Sequence, residues 1–304
     1  MRLLTRSDFD GLACAALLKE MDIIDSWKFV HPKDMQDGLV EVTDDDVLAN
    51  VPYVPGCKMW FDHHSSEKDR LDKDIKFEGE SRKADSAARV IYDYYDGDKR
   101  MPKLAELVNA ADKVDAAKLT LDEIKNPRGW VLLGFIMDPR TGLGRFRDFR
   151  ISNIQLMEKM IDACRTQTIE QILTDPDVEE RVKVYREQDA LFREMVGKHT
   201  KTDGNVIVSD LRGVETIYSG NRFLIYSLYP EQNISIWVVD GRNKVNCAIA
   251  VGHSVINRTS KTDVGALMLQ YGGGGHKQVG TCQVPYADAD KVIDEMTKRM
   301  KQDG

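Results

Sequence analysis

The sequence predicts an α/β protein in two parts, with a mostly parallel-sheet N-terminal domain and a smaller mixed-sheet α/β C-terminal domain. Three observations carry that expectation. At 304 residues the chain is longer than one hydrophobic core usually spans. Short apolar runs alternate with helix-period segments over its first 175 residues, the alternation that builds parallel sheets. Past residue 204 the pattern changes to closely spaced strands followed by helices. The predicted boundaries are 1–175 for the first domain, 176–203 for a connecting helix and linker, and 204–304 for the second domain.

The opening segment LLTRSDFDGLACAALLKEMD reads as a strand, a polar turn and a helix, with Leu12, Ala16 and Leu17 at helical spacing after the Asp10-Gly11 break. Strands are expected over 27–30, 47–54 (VLANVPYV) and 58–61 (KMWF), each closed by a polar or proline-containing turn. Helical spacing follows in 86–95, 103–111 and 152–165. Asp175 and Pro176 suit an N-cap and a first helical position, so the charged stretch after them reads as the connecting helix. Segment 198–204 is polar and aperiodic and ends the first domain. Beyond it, 205–211, 222–230, 234–241 and 244–252 read as strands, the last two joined around Asp240-Gly241. A helix in 263–271, a glycine cluster and a final helix in 288–301 complete the chain.

Composition narrows the class. With 42% hydrophobic and 31% charged residues the chain matches soluble globular proteins. No apolar run approaches the roughly 20 residues that span a bilayer, and the N-terminus turns acidic before a signal-peptide core can form. A cytoplasmic location and no membrane partner are therefore expected. The five cysteines are scattered without a CxxC spacing, which argues for free thiols and against a disulfide framework or a thiolate zinc site. A net charge of -7 gives no overall attraction for long nucleic acid. An anionic partner is then small, or is met by a local basic patch.

Three clusters can carry chemistry. Asp8 and Asp10, followed by Gly11, stand at the end of the first strand. Two carboxylates two residues apart on a turn can converge on one divalent cation, and hard oxygens suit magnesium or manganese; the same residues also make a plain helix cap. Asp62, His63 and His64 follow the apolar KMWF. A carboxylate beside two imidazoles is poor packing material at the end of a buried strand, whereas imidazole is the usual nitrogen ligand of a transition metal; a solvated polar loop is the alternative. The third cluster is Gly272-Gly273-Gly274-Gly275-His276-Lys277. Successive glycines allow free bending and close approach to a ligand, and uncovered amides there form an anion-binding nest. A flexible linker is the alternative, although Leu267-Met268-Leu269 and Val279 read as structured on both sides.

In this order the clusters resemble the motifs of the DHH phosphoesterase superfamily, which includes single-strand nucleases, oligonucleotide and dinucleotide hydrolases, exopolyphosphatase-like proteins and manganese pyrophosphatases. The likeness covers nearly the whole chain. Asp62-His63-His64 is similar to the triplet that names the family, and Gly273 to His276 to the mark of its associated C-terminal domain. A further family motif, an aspartate after a helix, looks like Asp112 in NAADKVDAA, with Asp115 beside it. The resemblance implies that Asp8, Asp10, His63 and Asp112 are metal ligands and that Asp62 supports or joins them. It implies that His64, Asp62 and Arg258 serve catalysis, His64 facing the phosphate. It also implies that Gly273, Gly274, Gly275 and His276 hold a terminal phosphate or sugar, and that Arg258 meets a second phosphate. The substrate would lie in a cleft between the catalytic domain and the C-terminal domain. Manganese is the implied cofactor, with magnesium or cobalt as substitutes, and a homodimer is a family-level expectation.

Two positions depart from the family pattern. Leu4 stands where a histidine is common, four residues before the first aspartate, and Asn50 stands where an aspartate usually bridges two metals. One firm metal site and a second that is weak or absent is the resulting expectation. An acidic chain with a compact glycine nest favours a short phosphorylated nucleotide, such as the linear dinucleotides pGpG or pApA cleaved to mononucleotides. An exopolyphosphatase or pAp phosphatase, and a nucleotide-binding protein without catalysis, are the competing readings. Tyr218, Phe223, Tyr226 and Tyr271 can stack a base or fill a core, and the run from Arg145 to Arg150 can contact a phosphate or form an amphipathic surface.

Overall fold

The computed structural model describes residues 1–64 and 77–304. They divide into two compact units, Met1–Leu119 with Pro127–Tyr185 and Thr120–Asn126 with Arg186–Gly304. The division falls within a single helix, Pro176–His199, which the Asp175-Pro176 pair opens. A short excursion, Thr120–Asn126, belongs to the second unit although its neighbours in sequence belong to the first.

In the first unit the described strands are β1 (Arg2–Arg6), β2 (Ser26–Val30), β3 (Asp46–Ala49), β4 (Met59–Asp62) and β5 (Glu78–Ser81). They pair in parallel in the order β2-β1-β3-β4-β5. Every residue of β3 and β4 is buried, as are Leu3, Leu4 and Thr5 of β1, the pattern of a sheet covered on both faces. Helix α1 (Phe9–Glu20) is buried from Phe9 through Leu18 and packs against α2 (Ala87–Tyr94), α3 (Ala105–Asp115) and α4 (Asn153–Thr166). These three helices lie where helical spacing predicts them, and Ser152 opens α4 with a capping box to Gln155. From β1 the chain steps to β2 on one side, then returns to β3 on the other. That reversal opens a crevice at the carboxyl ends of β1 and β3, where open α/β sheets bind ligands.

The second unit holds β6 (Thr200–Asp203), β7 (Val206–Asp210), β8 (Ile234–Asp240), β9 (Asn246–His253), β10 (Gly274–His276) and β11 (Val279–Pro285), in the order β10-β11-β9-β8-β7-β6. Only β7 and β8 pair in parallel, so this sheet is mixed, as the sequence predicts. In β9 and β11 every second residue is buried, among them Ile249, Val251, Cys282 and Val284. That face packs with Val264 and Met268 of α6 (Val264–Leu269) and Met296 and Met300 of α7 (Ala289–Asp303), the two helices that close the core; a short α5 (Leu224–Leu228) precedes them.

Four expectations need correction. Segment 198–204 is not aperiodic: the helix runs to His199, and Thr200–Asp203 is strand β6, paired with β7 within the second unit. Residues 47–54 do not form one strand: β3 ends at Ala49, and Asn50 turns the chain with φ 56°, a left-handed conformation that asparagine tolerates. The apolar run 222–230 is not a strand but contains helix α5. The Asn221 side chain accepts a hydrogen bond from the Phe223 amide at 2.9 Å and starts the turn, and a short apolar run fits a buried helix as well as a strand. The glycine cluster is not an open nest. Its second half is strand β10, hairpinned onto β11, and a Cβ at Gly275 would stand 2.3 Å from the Val279 carbonyl oxygen. Close backbone approach accounts for that glycine. The five cysteines are all free, and among the described residues no helix is long and apolar enough to cross a membrane.

Candidate metal centre

The polar motifs of the first unit gather because each follows the carboxyl end of a neighbouring strand: Asp8 after β1, Asn50 after β3, and Asp62 to His64 at the end of β4. Asp8 caps α1, its Oδ1 accepting from the Gly11 amide at 2.9 Å and from Asn50 Nδ2 at 3.1 Å. Gly11 is required by crowding, since a Cβ there would lie 1.9 Å from the Arg6 carbonyl oxygen. Asp10 turns toward the start of α2, where the Ala87 and Ala88 amides donate to its two oxygens, both at 2.9 Å. A helix N-terminus is a favourable place for a carboxylate. Even so, burial raises the pKa of both Asp8 and Asp10, and for Asp10 the charge of Asp115 adds to the rise.

His63 supplies the decisive geometry. Its Nδ1 lies 3.3 Å from the Ala84 carbonyl oxygen, a partner that requires the ring proton at Nδ1. Its Nε2 is buried, has no hydrogen-bond partner, and faces Asp115 Oδ2 at 3.3 Å and Asp10 Oδ2 at 3.7 Å. A nitrogen lone pair facing two carboxylates is repulsive, and either a proton on that nitrogen or a cation among the three groups relieves it. Atoms of Asp10, His63 and Asp115 all lie within 4.8 Å of one another. Ligands at about 2.1 Å from one ion would be about 3 to 4 Å apart, so this mixed nitrogen and oxygen set fits manganese or magnesium after small adjustments. Asn50 Oδ1 is also buried without a hydrogen-bond partner at this edge, and Asp8 Oδ2, likewise buried, is paired with Arg6 Nε at 3.0 Å.

The aspartate of α3 that faces His63 is Asp115, not Asp112. Asp112 is occupied: Ser86 Oγ donates to its Oδ1 at 2.6 Å, and Arg89 donates to its Oδ2 from Nε at 2.9 Å and pairs with it through Nη2 at 2.8 Å. It ties α2 to α3. Asp115 lies three residues further, about 4.5 Å along the helix axis, and so reaches His63.

Asp62 is fully buried and grips His64, with Oδ1 2.8 Å from Nδ1 and Oδ2 accepting the His64 amide at 3.3 Å. Its placement is that of a support for His64. Burial by itself would lower the His64 pKa, but the hydrogen bond and charge of Asp62, with Asp115 and Asp10 behind it, outweigh burial and raise the value to about 9. An imidazolium at neutral pH is thus presented beside the cage. Leu4, by contrast, is fully buried in a cluster with Leu48 and Trp60 and offers no ligand.

Two residues of this edge carried no readable signal, because Asp138-Pro139 resembles an ordinary turn. With Asp8, Asp10 and Asp115, Asp138 and Arg140 line a cavity of about 10 Å³, the room of one water or ion. Arg258 and the Gly273–His276 run belong to the second unit, where Arg258 is exposed and donates from Nε to the Val255 carbonyl at 3.1 Å. Phe223 and Tyr226 are core residues, the tyrosine hydroxyl lying 2.8 Å from Ser235 Oγ. Tyr271 packs on the same unit's core and donates to Glu295.

An open parallel sheet with a nitrogen and carboxylate cage at its switch crevice defines the class: an α/β protein with a candidate divalent-metal centre. Among solved structures, the chain is similar to a pGpG-specific phosphodiesterase, PggH, from Vibrio cholerae, at 47% identity over 100% of this chain and 99% of that one, with a TM-score of 0.88. It shares its fold with an exopolyphosphatase-related protein from Bacteroides fragilis (14% identity, 99% of this chain and 92% of that one, TM-score 0.55). RecJ from Thermus thermophilus, in complex with Mn2+, shares the fold as well (13% identity, 99% of this chain and 52% of that one, TM-score 0.56). No family model and no curated protein sequence matches. The chain belongs to the DHH phosphoesterase superfamily.

Proposed function

We propose that this chain is a metal-dependent phosphodiesterase that hydrolyses pGpG, or similarly short linear dinucleotides, to mononucleotides. The observation that carries the reading is the unpartnered His63 Nε2 aimed at Asp10 and Asp115; the 47% identity to PggH supports the choice of substrate. Asp10, His63 and Asp115 would hold the ion, with Asp8 beside them. Bound there, manganese or another divalent ion supplies acidification of water and offsets the charge of the phosphate. The chain's own groups do the rest. His64, fixed through Nδ1 by Asp62, directs its Nε2 proton toward the phosphate and stabilises charge as water adds to phosphorus and the bond to one ribose oxygen breaks. That proton can pass to the leaving oxygen. Gly273 to His276 and Arg258 are proposed to bind the substrate's other phosphate or sugar groups. The same reading places the protein in the cytoplasm, where its free thiols stay reduced, and expects a homodimer.

The reading includes one firmly held ion, because Leu4 turns into the core and Asn50 carries no charge. Asn50→Asp sets a second carboxylate about 3 Å from Asp8 Oδ1. Like charges so close repel, so the metal-free variant is expected to melt several degrees lower and the manganese-loaded variant to bind a second ion. Thermal melting in EDTA and metal counting by elemental analysis check both; two tightly held ions in the wild type would end the one-ion reading.

Incubation with pGpG, pAp and polyphosphate in parallel under Mn2+ tests the function. Two molecules of GMP per pGpG support it. Phosphate release from pAp or polyphosphate with pGpG left intact would overturn it.

A further inference from the structure

We propose that Arg140 is a substrate-phosphate ligand, its outer guanidinium edge taking the nonbridging oxygens of the phosphate that undergoes cleavage. This rests on the phosphodiesterase reading above.

The cavity beside the cage is lined by four acidic residues, Asp8, Asp10, Asp115 and Asp138. An anion cannot approach four carboxylates without positive charge beyond a single divalent ion. Arg140 is the cationic residue lining that cavity among the described residues. The way it is held suits the task. Asp138 Oδ1 accepts from the Arg140 amide and from its Nε, both at 2.8 Å. Asp138 is 3% exposed while the Arg140 side chain is 42% exposed, so the anchor is buried and the arginine side chain reaches solvent. Holding Nε fixes the plane of the group and leaves the Nη1 and Nη2 edge turned away from the anchor, the geometry for two parallel bonds to phosphate oxygens. Arg6, the other guanidinium near the acidic turn, has its Nε 3.0 Å from Asp8 Oδ2 and serves that carboxylate instead. A purely structural role explains less. The turn at 138–140 is already capped by the bond from the Arg140 amide, which any side chain at that position keeps.

The test compares wild type, Arg140→Lys and Arg140→Ala by kinetics on pGpG, Mn2+ affinity by calorimetry, and melting temperature. Arg140→Ala is expected to lose about 10- to 100-fold in kcat/KM, the loss of a charge-assisted hydrogen-bond pair, with Mn2+ affinity unchanged and a melting temperature lowered by the loss of the ion pair to buried Asp138. Arg140→Lys should fall between the two, and added guanidinium ion should restore part of the activity of Arg140→Ala. Wild-type kinetics in Arg140→Ala, or a loss that follows Mn2+ affinity, overturns the assignment. Failure of the wild type to cleave pGpG would refute the phosphodiesterase reading separately. In that event, binding of inorganic phosphate to the Mn2+-loaded proteins decides for Arg140: weaker binding in Arg140→Ala supports it, and equal binding overturns it.

Discussion

Asp10→Asn is expected to abolish measurable Mn2+ binding and to lower kcat/KM on pGpG by on the order of 10³-fold, since the bound ion contributes about 4 kcal/mol of transition-state stabilisation. Asp10 supplies an oxygen to the cage, and an amide there is a neutral, poorer ligand. The same substitution has an opposite effect on the metal-free fold, for an electrostatic reason. Burial, reinforced by Asp115, raises the Asp10 pKa in the folded protein above its unfolded value. A carboxylate with a raised folded pKa destabilises the fold at pH values above its unfolded pKa. The penalty is absent in acid and grows as pH rises from the ordinary carboxylate range through the raised value. Asparagine carries no such penalty. In EDTA, the melting temperature of the wild type minus that of Asp10→Asn should therefore decrease as pH is raised from 4 to 8. A difference that stays flat with pH, or tight Mn2+ binding by the variant, would remove Asp10 from the centre.

The second large effect belongs to the pair formed by Asp62 and His64. With a pKa of about 9, His64 is an imidazolium throughout the neutral range. Asp62→Asn removes the charge that holds it there, and the pKa should fall toward the ordinary histidine value. At pH 8 the protonated fraction then drops from about nine-tenths to about 3%, a loss of about 30-fold in any rate that needs the imidazolium. At pH 6 most of the gap closes. A bound cation lowers both profiles alike, so the difference between them carries the test. Stability follows the same sign: the paired imidazolium stabilises the fold fully below pH of about 6.5, and that contribution is lost as pH rises through about 9. Superimposable pH profiles of kcat/KM for the two proteins would show that His64 does not act as an imidazolium.

The strand-end motifs were readable because they are local. A polar DFDG or DHH directly after a short apolar run marks the point where a buried strand leaves the sheet, and both lie at such points. Leu4 and Asn50 were readable for the same reason. Asp112 and Asp115 were not separable in this way. Three residues apart on one helix, they present the same chemistry, and the choice between them rests on Ser86 and Arg89, which come from a different helix and claim Asp112. The role proposed for Arg140 was silent in sequence because it depends on Asp138 and on the acidic residues gathered beside it.

By itself, then, the sequence determined the α/β class, the acidic turn and the paired imidazoles, since each is a matter of residue type against strand and helix period. Tertiary structure alone decided which aspartate faces His63, that 222–230 coils into a helix, and that the glycines close a hairpin. These outcomes turn on contacts between segments distant in sequence. A carboxylate goes to the cage or to a neighbouring arginine according to where packing brings the opposite charge, and no local pattern records that.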